Sequence, residues 1–475
     1  MATTLHRARL SPAAAGYPLD AGRFDEAFAP TGAPRTPNGA LLDALALHDL
    51  AVLRERVRSD SAALGLTFGE GRPITVDPVP RLIDATEWRT LEAGIVQRAR
   101  ALNAFLADVY DGQRIVEQGE VPRHLLHTSP GYEPRMRGLL DPAVPAATVA
   151  GLDLVRDATG TMLVLEDNLR MPSGAAYAIA VRRVVPAALG AAPAPLRLDR
   201  YIEALGAALR GAAPDGRGDP AIAILSEGSA SGTWFEHRAL GEALGVPVLP
   251  PDSLVSRRGR LFARIGRALR RVDVLYRRLD DERLSDARGR ATALGELLLP
   301  ALEAGRLRCL NAFGTGVADD KLAHVYVEGM VRFYLGEEPL LRSAPSFDLC
   351  DEASRNRAMR RLDELTLKPR DGFGGRDVTI LPRASAAQRR RAIGLARRRP
   401  EGFVAQETIS LSTHPTVCEG RLRPRRVDLR PFAVSGAAGT AVMPGGLTRF
   451  AAREDETIVN SSRGGGCKDT WVVQT

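Results

Sequence analysis

Lysine is nearly missing from this chain. Of its 65 lysines and arginines, only Lys321, Lys368 and Lys468 are lysines. Arginine serves almost everywhere else. A surviving lysine therefore marks a place suited to a compact ammonium on a flexible stem rather than a planar fork. Cysteine is scarce as well. Cys309, Cys350, Cys418 and Cys467 are far apart and none has CxxC spacing. That pattern argues against a zinc knuckle and a disulfide framework and fits a reducing, cytoplasmic setting. Aromatic residues are only 5% and do not alternate with basic ones, so the net charge of +8 lacks the stacking platforms of a nucleic-acid binder. The most basic run, QRRRAIGLARRRP at 388–400, reads as one exposed helix with its arginines in water. Long apolar runs are lacking too. The uncharged stretch 184–196 carries three prolines and is short of the ~18 residues a membrane span needs. The N-terminus shows no signal-peptide core. No GxSxG occurs, so no serine hydrolase is indicated. His124 and His127 have helical spacing and read as capped or core residues rather than metal ligands.

A chain of 475 residues has room for two or three domains. Residues 1–80 read as a partly helical extension, with one helical stretch in LLDALALHDLAVLRERVRSD. Leu91, Ile95, Leu102, Leu106 and Val109 form a stripe at helical period, and Asp84 or Thr86 stands where a cap belongs. AIAILS, TWFEHRALGEALG and VPVLP spell strand, helix and strand from residue 221, with Gly245 ending the helix. The loop EGSASG lacks the glycine spacing of a dinucleotide fingerprint. Residues 81–310 are expected to form an α/β region and 311–475 a second lobe rich in glycine and strands.

The most informative segment is GLDLVRDATGTMLVLEDNLRMPSG, 151–174. DATG is turn chemistry between two strand-like runs. Side chains two apart share a strand face, so Glu166 and Asn168 point the same way. With the turn centred on Ala158 and Thr159, Asp153 falls opposite Val164 and becomes a diagonal neighbour of Glu166, roughly 7–8 Å away. Two carboxylates and an amide oxygen then converge, a hard-oxygen set suited to Mg²⁺ alongside phosphates. The plain alternative is a polar strand end facing water. MPSG follows, and its Ser173 hydroxyl and the backbone N–H groups around Gly174 suit an anion.

Lys368 stands shortly before DGFGG, where Gly372, Gly374 and Gly375 let backbone N–H groups approach phosphates closely. Lys321 lies in GTGVADDKL. FVAQETI, 403–409, reads as a strand carrying Gln406 and Glu407; by itself it is most simply an edge strand.

Taken together, LKPRDGFGGRDV, FVAQETI and the Asp153…Glu166-x-Asn168 set resemble the parts of an ATP-grasp site. The metal set precedes the lysines, the reverse of the usual order. With EDNLRMPSGAAYA, GTGVADDK, STHPT, RRVDLRPF, PGGLTR and NSSRGGGCKDTW, that order resembles the circularly permuted type 2 ATP-grasp family, similar in turn to glutathionylspermidine synthetase-like ligases. The resemblance runs from about residue 80 to the C-terminus. It implies an α+β fold with two α/β lobes around a nucleotide cleft. It implies ATP phosphates on Lys321, Lys368 and the glycine loop, adenine at Gln406 and Glu407, and Mg²⁺ on Asp153, Glu166 and Asn168. Arg170 and Arg430 are the candidate cations beside a reacting phosphoryl group. The implied activity is ATP-dependent joining of a carboxylate to an amine through an acyl phosphate. The competing expectation is a nucleotide-binding scaffold without turnover that works through a partner. An α-helical companion domain protein is the partner such relatives suggest.

Overall fold

The computed structural model describes residues 16–69, 71–190, 195–216, 218–279, 283–286, 288–370, 377–459 and 464–474. The apolar stripe forms one long helix, Ala85–Val109, with all five stripe residues buried. The Asp84 carboxylate caps it, accepting from the Thr86 N–H at 2.7 Å and the Glu87 N–H at 3.4 Å. The expected single helix of the N-terminal extension is two, Asn38–Leu45 and Leu50–Ala63. Asp49 is the reason: its carboxylate accepts from the N–H groups of Ala51 and Val52 at 2.8 and 3.1 Å, starting a new helix rather than continuing the old one.

The described residues form five sheets, of which the three largest organise the fold; the other two are small, pairing 67–68 with 72–73, and 260–265 with 254–257 and 268–272. A nine-stranded sheet runs in the order 439–442, 432–436, 149–156, 421–430, 447–450, 466–473, 76–84, with 162–168 paired to 149–156 and 413–418 paired to 421–430. Its pairs are antiparallel except 466–473 with 76–84. A four-stranded parallel sheet has the order 308–310, 274–278, 222–226, 248–249. The strand–helix–strand unit from residue 221 is part of it, with helix Trp234–Leu244 ended by Gly245 at φ 67°. The third sheet, 346–348, 403–407, 365–369, 379–380, is antiparallel and has its own core of Phe347, Leu365, Leu367 and Ala405 under the helix Ala386–Arg398. That helix is the basic run of the sequence, started by a Ser385–Gln388 capping box. No described helix is long and apolar enough to cross a membrane.

The expected boundary at 311 does not separate the sheets. Strands of 413–473 join those of 76–168, and the separate small lobe spans only about 346–407. Strand pairing between residues hundreds of positions apart leaves no local pattern, which is why the sequence reading missed it.

Lys468 belongs to this framework. It is fully buried, its ammonium donates to the Asp77 carboxylate, and it also donates to the Pro415 carbonyl at 2.9 Å. Asp77 in turn accepts from the Val79 and Val417 N–H groups at 3.0 and 2.8 Å. One ion pair thus ties three strands together. Removing one partner of a buried pair strands the other charge. Lys468→Met is therefore expected to cost about 3–5 kcal/mol in urea unfolding, and adding Asp77→Asn should recover much of the loss. An unchanged midpoint for the single variant would refute this role.

Candidate active site

The carboxylate hairpin forms, with a different register from the expected one. The loop is longer: Asp157 N–H donates to the Thr161 carbonyl at 3.0 Å, and the Asp157 carboxylate accepts from the N–H groups of Thr159 and Thr161, both at 2.9 Å. Leu154 therefore faces Val164. A bulge then slips the register once more, so Asp153 lies directly opposite Glu166 and Gly151 opposite Asn168. Two single-residue slips restore the original face, because side chains alternate with period two. Asp153, Glu166 and Asn168 still converge, more closely than the diagonal reading allowed.

Asp153 is buried and fully engaged. Arg430 forks onto it at 2.6 and 2.8 Å, Arg449 reaches it at 2.7 Å, and the Asn168 amide donates to it at 3.3 Å. Arg449 also forks onto Asp428 at 2.9 and 2.5 Å. Burial alone would push the Asp153 carboxyl up, but Arg430 and Arg449 outweigh it and hold it well below the usual carboxylate range. Asp428 goes the other way, since burial exceeds what Arg449 returns. Arg449 and Asp428 were not singled out from sequence. Their signal was present in RRVDLRPF, where Asp428 and Arg430 sit two apart on one strand face, and in PGGLTR.

Glu166 opens onto the cavity. Lys368 lies on the strand Leu365–Pro369 of the small lobe, and its ammonium is 3.5 Å from Glu166. Burial opposes ionisation of Glu166, yet Lys368 and then Lys321 pull its carboxyl below the ordinary value. Lys368 itself is pushed down by burial and by Lys321, partly offset by Glu166. Lys368 therefore senses both Lys321 and Glu166. A buried fork from Arg370 to Asp320, 2.9 and 2.7 Å, fixes their spacing: Arg370 follows Lys368 by two residues and Asp320 precedes Lys321. Behind the hairpin, Asp167 is clamped by Arg98 at 2.6 and 2.8 Å and by His324 at 2.8 Å.

All described candidate residues line one cavity of about 840 Å³. Arg170 is at its wall, with Asp319 3.5 Å from its guanidinium. Gln406 donates to Ser346 at 3.0 Å and to the Leu165 carbonyl at 3.3 Å. Glu407 is ion-paired with Arg361 at 2.6 Å. Their strand, Phe403–Glu407, lies between 346–348 and 365–369, so it is interior and not an edge. Val155, Leu165, Ile380, Ile409 and Leu411 give this part of the cavity apolar walls. Gly372, Gly374 and Gly375 lie outside the described residues.

The MPSG reading needs correction. The Ser173 carbonyl accepts from Arg430 at 3.2 Å, and the N–H groups of Gly174 and Ala176 are not open to an outside anion. Both donate to Glu236, at 2.9 and 3.0 Å, a buried carboxylate also paired with Arg278 at 2.8 Å. The anion that the helix start favours is supplied by the distant helix Trp234–Leu244. His124, outside the cavity, pairs with Asp348 at 2.7 Å, and with Cys350 they form a cluster with one ligand-type atom each within 4.8 Å.

A family model described as circularly permuted ATP-grasp type 2 matches residues 80–451. A Mycobacterium tuberculosis protein is 39% identical over 461 residues, 95% of this chain and 84% of its own. A Synechocystis protein is 38% identical over 471 residues, covering 96% and 98%. A Frankia alni protein whose name proposes a glutamate–cysteine ligase is 40% identical over 462 residues, 94% of this chain but 54% of its own length. The acidic hairpin residues ahead of the lysines, the small lobe facing the large sheet, and these matches agree: the chain belongs to the circularly permuted ATP-grasp type 2 family.

Proposed function

We propose that the protein joins a carboxylate to an amine at the expense of ATP, through an acyl phosphate. One observation carries this reading: Glu166, Lys368 and the Asp153–Arg430 pair come from different lobes and distant segments yet share one cavity wall. The donor chemistry fits Mg²⁺. Asp153, Glu166 and Asn168 offer hard oxygens at one cavity wall, and Lys368 donates to Glu166 through Oε1 at 3.5 Å. When bound there, Mg²⁺ supplies charge neutralisation on the phosphates. Asp153 shares its oxygens with two guanidiniums, so its first task is to hold Arg430 and Arg449 at the wall.

Lys321 and Lys368 offset phosphate charge, and the Arg370–Asp320 fork keeps them in register. The apolar walls beside Gln406 take a flat base. The substrate carboxylate oxygen attacks the γ-phosphorus, the bond to ADP breaks, and an acyl phosphate forms. The amine nitrogen then attacks the carbonyl carbon, phosphate leaves with the bonding pair, and the nitrogen loses a proton. Such phosphoryl transfer depends mostly on positioning and preorganised charge, which the Asp153, Arg430, Arg449 and Lys368 groups supply.

Mg²⁺-dependent ADP release is expected to rise when ATP is offered with the right members of amino-acid and peptide pools. Glu166→Gln and Lys368→Met should each lower it by about 100-fold or more with melting temperatures kept. Nucleotide binding with no stimulated turnover in any pool would favour a scaffold. A second expectation follows from charge. A depressed carboxyl stabilises the fold above its unfolded pKa, about 3.9, and that contribution is lost as pH falls through the folded value. In Arg430→Gln, Asp153 keeps one guanidinium instead of two, so its pKa should rise and the acid-unfolding midpoint should move to higher pH. Carboxyl-carbon NMR titration reads the shift, and an unmoved Asp153 resonance would count against the network.

A further inference from the structure

One end of the cavity holds more positive charge than its neighbours balance. On the strand Arg421–Arg430, residues 426, 428 and 430 alternate onto the cavity face. Arg430 and Asp428 belong to the Asp153 network. Arg426 stands about 13 Å from Arg430, at roughly 3.3 Å per residue, and has no place in that network. It is only 5% exposed, its Nη1 donates to the Glu456 carbonyl, and its Nε has no hydrogen-bond partner. Among the described residues no carboxylate forms an ion pair with it.

Two more guanidiniums meet it there. Arg23 comes from the N-terminal segment and Arg383 from just beyond the small lobe's edge strand 379–380; both line the cavity with Arg426. Arg23 is held by Asp20 at 2.5 Å. Arg383 donates to the Asp455 carbonyl at 3.3 Å and likewise has no carboxylate partner among the described residues. The nearby acids are committed elsewhere: Asp455 to Arg453 at 3.4 Å and Glu454 to Arg425 at 3.6 Å. Burial first, then the like charges of Arg23 and Arg383, push the Arg426 guanidinium down to about 10, against a smaller opposing pull from Asp20 and Asp455. Asp20 pairs with Arg23, and Asp20 and Asp455 offset the Arg426 charge only in part. A buried charge so weakly compensated is costly, and guanidiniums gathered by three distant segments favour a further anion.

We propose that Arg23, Arg383 and Arg426 form an oxyanion subsite, taking a carboxylate or a phosphate, at the end of the cavity away from Arg430. Lys321 and Lys368 already stand ready for nucleotide phosphates, so the natural source is an acidic group on the substrate that shares the cavity with ATP. The subsite rests on the ligase reading for the origin of its anion. Its existence rests on the three arginines alone.

The test titrates the full chain with inorganic phosphate, glutarate, ATP with Mg²⁺, and adenosine by calorimetry, in wild type, Arg426→Gln and Arg383→Gln. Melting temperature is read without any probe. The expected result is at least tenfold weaker binding of an anionic probe in Arg426→Gln, with a melting temperature unchanged or raised because a repulsive contact has gone. Loss on glutarate or phosphate with ATP unaffected assigns the anion to the substrate. Loss on ATP with adenosine unaffected assigns it to the nucleotide. If no probe depends on Arg426 or Arg383, or if Arg426→Gln lowers the melting temperature with binding unchanged, the arginines are structural and the proposal is overturned. Lys368→Met reads the ligase proposal separately: ATP affinity untouched by that change would sink the nucleotide reading and leave the arginine result standing.

Discussion

The site depends on buried carboxylates held between cations. Asp153 lies between Arg430 and Arg449, Glu166 faces Lys368, and Asp428 faces Arg449. Ions taken out of water are stable only when geometry and hydrogen bonding compensate. The forked arginines meet that demand through two parallel bonds each. This wall therefore presents its charges already in position to the cavity. Where Arg426 and Arg383 face the cavity, the same accounting does not close, and the imbalance points to something the chain does not itself contain.

The arginine–lysine contrast has a structural meaning. Arginines do the forked work: Arg98 on Asp167, Arg370 on Asp320, Arg278 on Glu236. The lysines occupy places where a point charge fits. Lys368 reaches across from the small lobe to one carboxylate oxygen, and Lys321 opens a short helix at the cavity. Lys468 fills a fully enclosed space between three strands, where its ammonium meets Asp77 and a carbonyl. Two lysines were read from sequence as phosphate contacts. The third had no reading until its burial showed it to be framework.

The lobes also explain how the site is joined. Metal-type residues stand on the large sheet, and Lys368 with Gln406 on the small one. The Arg370–Asp320 fork and the His124–Asp348 and Tyr326–Asp348 bonds, both 2.7 Å, bind the small lobe to the helical side of the large one. The contacts that set lysine-to-carboxylate spacing thus lie outside the chemistry they serve.

The sequence by itself determined what local rules govern. The long helix and its Asp84 cap, the strand–helix–strand unit, and the carboxylates on one face of a hairpin were all legible, because helical period, strand alternation and turn chemistry act within a few residues. Tertiary structure decided the rest. The bulge that set Asp153 opposite Glu166, the Glu236 carboxylate filling the start of helix Ala175–Leu189, the pairing of Lys468 with Asp77, and the meeting of Arg23, Arg383 and Arg426 all join segments far apart in the chain. Coulombic and hydrogen-bond partners are chosen by distance in space, and only the folded sheet sets that distance.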